Sequence, residues 1–142
     1  MAIQQGLTNS FKQEMLQAGQ NLATDTLRMA LYTALADIGP ATTTYTGTTN
    51  EVTGTGYTTG GELVTGATIS TDTQTGTVYV NFDNVSWPGA NFTARGALIY
   101  NTTRSNKSVA VLDFGSDKTF TSTNNTVTMP ANTATTDLIR FP

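Results

Sequence analysis

Cysteine and histidine are both absent from this sequence of 142 residues. Without cysteine, the chain can form neither a disulfide nor a thiolate metal site. Without histidine, it lacks the side chain that most often acts as a general base, binds a metal ion or titrates near neutral pH. These absences exclude the most common catalytic, redox and metal-centred functions, and we expect neither a cofactor nor an enzymatic activity.

Charge is also scarce, since only 12% of the residues are charged and the net charge is −3. Globular domains usually carry about 25% charged residues. The Lys and Arg residues are scattered, whereas nucleic-acid-binding proteins usually carry a basic patch. No apolar run approaches the roughly 20 residues of a membrane-spanning helix, and the N-terminus has no signal-peptide pattern. We therefore expect synthesis in a cytoplasm and no partnership with nucleic acid or membrane.

Neutral polar residues take the place of charge, with threonine at 31 positions and glycine at 13. Threonine is β-branched and stiff at χ1, so it favours strands over helix interiors. A chain of this length suits one domain and is long enough to bury a substantial core. The composition thus predicts a single domain that is mainly β.

One amphipathic helix is predicted near the N-terminus. Apolar residues recur there at intervals of three or four, at Leu7, Phe11, Met15, Ala18 and Leu22. Ser10 and Gln13 fit a capping box. Thr8 or Asn9 could cap the helix instead, and Gly19 is a natural stop. We place the helix near residues 8–18, where it packs either on its own sheet or on a neighbouring subunit.

Residues 26–33 alternate with a period of two, which predicts a strand, although their Leu, Arg, Met and Ala content also favours a helix. One face of the predicted strand carries Leu27, Met29 and Leu31. Regular patterning then disappears over residues 34–61, and loops this long are usually functional or disordered. We interpret residues 34–61 as an extended loop or arm that reaches neighbouring proteins.

Residues 62–142 have the pattern of an antiparallel β-sandwich or barrel, because short apolar stretches alternate with Gly, Asn, Asp and Pro turns. The predicted strands are 62–70, 77–83, 92–101, 108–114, a pair formed by 118–123 and 126–129, and 136–141. Residues 97–100 suit a strand buried on both faces, and residues 115–117 suit a turn. The single domain thus has three parts: residues 1–33 with the helix and first strand, the loop or arm 34–61, and the sandwich 62–142.

The residue types would allow three kinds of chemical site. Two of the ten carboxylates could flank a glycosidic bond, but no pair has a recognisable catalytic spacing. Calcium could bind Asp72, or Asp113 with Asp117, although the EF-hand pattern is absent. Trp87 and the five tyrosines could stack on sugars, but such residues are more often core residues or anchors of protein interfaces.

Several segments follow one another in a distinctive order: Phe11-Lys12-Gln13-Glu14-Met15-Leu16, residues 26–33, Tyr45-Thr46, residues 50–61, Val85-Ser86-Trp87, residues 93–101 and residues 110–115. Together they resemble a family of small virion proteins of tailed phages, encoded among the head and tail genes. The resemblance covers roughly residues 10–130, and its most specific parts are the blocks at 50–61 and 94–100.

The resemblance implies a structural role in the virion and brings no catalytic residues. It implies first a decoration or cement protein that binds the major capsid protein and stabilises the capsid. The alternative is a neck, tail or fibre-attachment component, with a receptor- or glycan-facing surface. We expect a homo-oligomer, either a trimer or a dimer, since exposed strand edges can pair. The candidate subunit contacts are Phe11, Met15, Tyr45, Glu51, Tyr57, Trp87 and Arg95.

Overall fold

The computed structural model of the chain describes residues 2–47, 49–129 and 138–141. It confirms the predicted mainly β fold, with one short N-terminal helix and antiparallel sheets packed together. A 3-10 turn at Thr102–Arg104 joins the two longest strands. In chain order the elements are β1 (Gly6–Leu7), α1 (Asn9–Leu16), β2 (Leu27–Tyr32), β3 (Glu62–Val64), β4 (Thr68–Asp72), β5 (Thr77–Asn81), β6 (Val85–Ser86), β7 (Phe92–Asn101), β8 (Lys107–Phe120), β9 (Thr126–Val127) and β10 (Ile139–Phe141).

The strands form three antiparallel sheets within the described residues. The largest has the order β1-β8-β7-β2-β3, and the smaller two have the orders β10-β5-β4 and β6-β9. One large core joins all three sheets, since it takes residues from β2 and β7 as well as from β5, β6, β9 and β10. The smaller sheets therefore cover one face of the large sheet.

The side chains of β2 alternate between two faces, as the period of two predicted. Each face contributes to a different core. Leu27, Met29 and Leu31 enter the large core. Ala30 and Tyr32 enter a second, smaller core on the opposite face of the sheet. Residues 97–100 of β7 are likewise buried and contribute to both cores, which agrees with the strand buried on both faces that the sequence predicted.

Helix α1 is shorter than the predicted residues 8–18. The side chain of Thr8, one of the alternative caps, accepts a hydrogen bond from the Phe11 amide at 3.3 Å and caps the helix. The helix ends at Leu16, and the Gly19 amide then donates to the Glu14 carbonyl at 2.7 Å. Phe11 is fully buried in the large core, so the helix packs on its own sheet.

The described residues of the segment 34–61 lie along the body of the domain, so this part of the chain is a loop and not a detached arm. Ala36 and Ile38 enter the smaller core, while Val52 enters the large one. Backbone bonds continue from the end of β2, because the Val52 amide donates to the Leu31 carbonyl at 2.9 Å. The apolar residues of the segment enter two different cores without a regular period, so periodicity did not reveal their burial.

Pairing within residues 62–142 differs from the sequence-based prediction in three places. Residues 62–70 form two strands, β3 and β4, which belong to different sheets. The predicted turn at 115–117 is an irregularity inside the continuous strand β8. Strand β9 pairs with β6 and not with residues 118–123. The predicted strand 136–141 is β10 at Ile139–Phe141, and residues 136 and 137 lie outside the described residues.

Candidate functional site

Three of the predicted contact residues belong to the core of the chain itself. Phe11 and Trp87 are fully buried, and Met15 packs against the same core. The Trp87 ring meets Phe120 edge-on, with centroids 5.7 Å apart. In this conformation Phe11 and Trp87 stabilise the domain and cannot reach another subunit.

A second group of predicted residues converges on the buried carboxylate of Glu51. Tyr57 donates its hydroxyl to Oε1 at 2.5 Å, and Tyr45 donates to Oε2 at 2.9 Å. The Gly60 amide also donates to Oε1, at 2.8 Å. The Tyr57 hydroxyl in turn accepts a hydrogen bond from the Leu31 amide at 2.9 Å. We call Tyr45, Glu51, Tyr57 and Gly60 the Glu51 cluster.

Further contacts attach the Glu51 cluster to the central strands β2 and β7. The Tyr100 hydroxyl donates to the Gly60 carbonyl at 2.6 Å, and its ring stacks on Tyr45 with centroids 4.2 Å apart. Arg28 donates to the Gly61 carbonyl at 2.5 Å. The cluster therefore fastens the segment 34–61 to the sheet, which identifies it as a structural element.

Burial, and next the hydrogen bond to Glu51, raise the pKa of both Tyr57 and Tyr45. Burial also raises the pKa of Tyr32, with a further contribution from the charge of Glu51. All three hydroxyls consequently stay protonated at neutral pH. They act as hydrogen-bond donors or as parts of the core.

Four of the five tyrosines are poorly placed for stacking on a sugar. Tyr32 and Tyr100 are buried in the smaller core, and Tyr45 packs against it. Tyr57 packs edge-on against Phe92. The sugar-stacking interpretation of these four rings, and of Trp87, therefore does not fit this conformation.

Arg95 is the predicted contact residue that lies at an exposed irregularity of the fold. It sits between Ala94 and Gly96, where the register of β7 and β8 shifts and residues 114–117 of β8 are left unpaired. Its Nε donates to Oδ1 of Asp113 at 3.2 Å, and a third of its side chain is exposed. Such bulges re-aim side chains, and they are common next to functional sites. We call residues 114–117 the β8 bulge.

A cleft of about 330 Å³ opens beside the β8 bulge. Its walls combine apolar side chains with one ion-paired carboxylate and one ammonium group. They are formed by Gln5, Leu112, Asp113, Phe114, Ser116, Lys118, Val127 and Thr128. Lys118 donates to the Thr126 carbonyl at 2.6 Å and lies over the Phe120 ring. The sequence did not reveal this cleft, because its walls come from separate stretches of the chain.

A polar network that sequence reasoning missed anchors the turn between β7 and β8. Asp25, with 3% of its side chain exposed, accepts from Nε of Arg104 at 2.8 Å and from the Asn101 amide group at 2.8 Å. The hydrogen bond from Arg104 lowers the pKa of Asp25 to about 2, and burial opposes this shift. Gln20 also bonds Asn101, at 3.0 Å, so the network joins the loop after α1 to the sheet.

Among residues 2–47, 49–129 and 138–141, no three acidic side chains converge to hold a metal ion. No helix in the same residues has the length and apolarity needed to cross a bilayer. No protein-family model matches the chain, and neither a characterised protein nor a solved structure is significantly similar to it.

Proposed function

We propose that this chain is a structural subunit of a tailed-phage virion that binds the capsid as a decoration protein and performs no catalysis. The segments that resemble small phage virion proteins support the virion assignment. Two of them, residues 50–61 and 94–100, build the Glu51 cluster and carry Arg95 at the β8 bulge. The segments that carry the resemblance thus coincide with the two irregular features of the fold, the Glu51 cluster and the β8 bulge.

The cleft beside the β8 bulge is the observation that carries the binding function. Phe114 is half-buried at its wall, and Asp113, which forms an ion pair with Arg95, also lines it. Aromatic residues and arginine are enriched at the centres of protein interfaces, where they provide most of the binding energy. A cleft of this size accommodates one anchoring side chain of a partner protein. We propose that this partner is the major capsid protein.

The ion pair is suited to recognition because it is only partly buried. Exposed pairs contribute little to stability, about 0–1 kcal/mol. Arg95 can therefore exchange Asp113 for an acidic group of the partner at little expense to the fold. The apolar wall supplies affinity, and the charged rim selects the orientation of the partner.

Copy number in purified virions tests the location on the particle. We expect quantitative mass spectrometry to give a number of copies comparable with that of the major capsid protein. A few copies per particle would instead indicate the alternative, a neck, tail or fibre-attachment component. Absence of the chain from washed virions would refute the virion assignment altogether.

Binding to particles that lack the chain tests the cleft. We expect Arg95→Glu and Phe114→Ala to weaken re-binding of the purified protein at least about tenfold, as truncation of an interface anchor does. Lys12→Ala, which removes an exposed cation on α1, is the control and should bind like the wild type. Fluorescence of the buried Trp87 verifies that each variant is folded. Undiminished binding by both folded cleft variants would contradict the proposal.

A further inference from the structure

The sheet β10-β5-β4 carries an apolar row that is buried at one end and open at the other. Ile139, Val80 and Ile69 lie opposite one another on the three strands, so their side chains share one face. Ile139 and Val80 are buried in the large core, whereas Ile69 is 52% exposed. Phe141, on the same face, is 45% exposed. The face thus extends beyond the core that covers its inner part.

Among residues 2–47, 49–129 and 138–141, strand β4 forms an open edge of this sheet. In the described part of the chain it pairs on one side only, with β5, and the register is continuous from Thr68 to Asp72. With five residues it is the longest edge strand described; β3 and β10 have three each, and β1 has two. Natural edges are usually protected by lysine, proline or a bulge. Strand β4 (Thr-Ile-Ser-Thr-Asp) has none of these, and its only charged residue is the terminal Asp72.

We infer that the outer edge of β4 pairs antiparallel with β4 of a second copy of this chain, about a two-fold axis at Ser70. This register places Ser70 opposite its own equivalent and Ile69 opposite Thr71 of the second copy. Each Asp72 then faces Thr68, so like charges are not opposed. The result is a continuous six-stranded sheet across the dimer.

The same register shields Ile69, the exposed end of the apolar row. The two Ile69 side chains become diagonal neighbours on one face of the joined sheet, within about 7–8 Å of each other. Each isoleucine thus gains an apolar neighbour in place of water. A two-fold arrangement uses the same surface on both copies and closes the assembly at a dimer. The pairing requires neither the cleft nor a virion, so it does not rest on the proposed function.

Disulfide trapping tests the register, because the chain has no cysteine of its own. A disulfide needs Cα atoms within about 7 Å. Ser70→Cys places the two thiols directly opposite each other, whereas Thr68→Cys places them roughly 14 Å apart along the antiparallel strands. We expect the oxidised Ser70→Cys variant to run as a dimer on a non-reducing gel and the Thr68→Cys variant to stay monomeric. Equal crosslinking of both, or of neither, would overturn the register.

Sedimentation equilibrium tests the interface without a crosslink. We expect concentration-dependent dimers of the wild type between about 1 and 100 µM, since an interface of a few strand residues is small. Ile69→Lys should weaken association at least about tenfold, because lysine protects strand edges. Leu16→Lys, at a leucine that is 91% exposed on α1, is the matched control and should associate normally. A wild type that is monomeric throughout this range, or equal losses in both variants, would refute the inference.

Discussion

Replacing Glu51 by alanine is expected to destabilise the whole domain, because this one carboxylate fastens the segment 34–61 to the central sheet. It accepts hydrogen bonds from Tyr57, Tyr45 and the Gly60 amide. The segment supplies Ala36, Ile38 and Val52 to the two cores. Loosening the segment therefore exposes apolar surface on both faces of the large sheet.

The size of the effect follows from the three donors. The Gly60 amide and the Tyr57 hydroxyl would lose their acceptor where water has little access, and a hydrogen bond to a charged group contributes about 1.5–3 kcal/mol. The more accessible Tyr45 hydroxyl can turn to water. Removing the carboxylate also relieves its desolvation, which offsets part of the loss. We expect the free energy of unfolding to fall by roughly 3 kcal/mol, which lowers the melting temperature by roughly 10 °C.

Urea unfolding followed by tryptophan fluorescence measures this change, since Trp87 is the only tryptophan and is fully buried. Glu51→Gln keeps one oxygen acceptor and should lose about half as much stability. Glu62→Ala, which truncates a partly exposed carboxylate on β3, is the control and should change stability by less than about 0.5 kcal/mol. Hydrogen exchange of the Gly60 amide should accelerate in Glu51→Ala.

The reasoning fails if Glu51→Ala unfolds within about 0.5 kcal/mol of the wild type. It also fails if Glu62→Ala loses as much stability as Glu51→Ala. Either result would mean that the apolar residues of the segment hold it in place without the carboxylate.

Two further predictions concern the loops. Because the pKa of Asp25 is lowered to about 2 from an ordinary value of 3.8, its ion pair with Arg104 stabilises the fold above pH 4 and is lost as the pH falls towards 2. Arg104 is partly exposed, so solvent screening reduces this contribution. The difference in urea unfolding between Asp25→Asn and the wild type should therefore be larger at pH 6 than at pH 2. Gly61→Ala should cost more than about 2 kcal/mol, since φ is +76° and a Cβ would overlap the Met29 carbonyl oxygen. Gly76→Ala, at a similar φ of +75° but in open space, should cost only about 1 kcal/mol, and equal losses in thermal melts would contradict the steric argument.

The periodic pattern of apolar residues predicted the helix and the central strands, whose conformation depends on residues close in the sequence. The alternation of Leu27, Met29 and Leu31 predicted β2, and the run at residues 97–100 predicted a doubly buried strand. The spacing around Phe11 predicted α1, because one helix face repeats every three or four residues. Each of these signals depends on a period within a single element.

The candidate sites could not be predicted in the same way. The Glu51 cluster joins residues of one irregular loop to Leu31 and Tyr100, which lie on separate strands. The cleft joins β8 to β9 and to Gln5 near the N-terminus. Such contacts have no period, so only the pairing of distant strands brings the groups together. The resemblance drew attention to residues 50–61 but did not reveal what they contact.

By itself, the sequence determined that the chain is mainly β, because it is rich in threonine and poor in charge. It further determined that the usual catalytic groups are lacking, because cysteine and histidine are absent. It also determined the helix and the central strands, because their apolar periods are local. Only the tertiary structure decided that the described residues of the segment 34–61 pack on both cores and that residues 62–70 split between two sheets. It alone also decided that β4 pairs on one side only within the described part of the chain. The physical reason is that burial and strand pairing depend on contacts between residues far apart in the sequence, and these contacts form only when the whole domain folds.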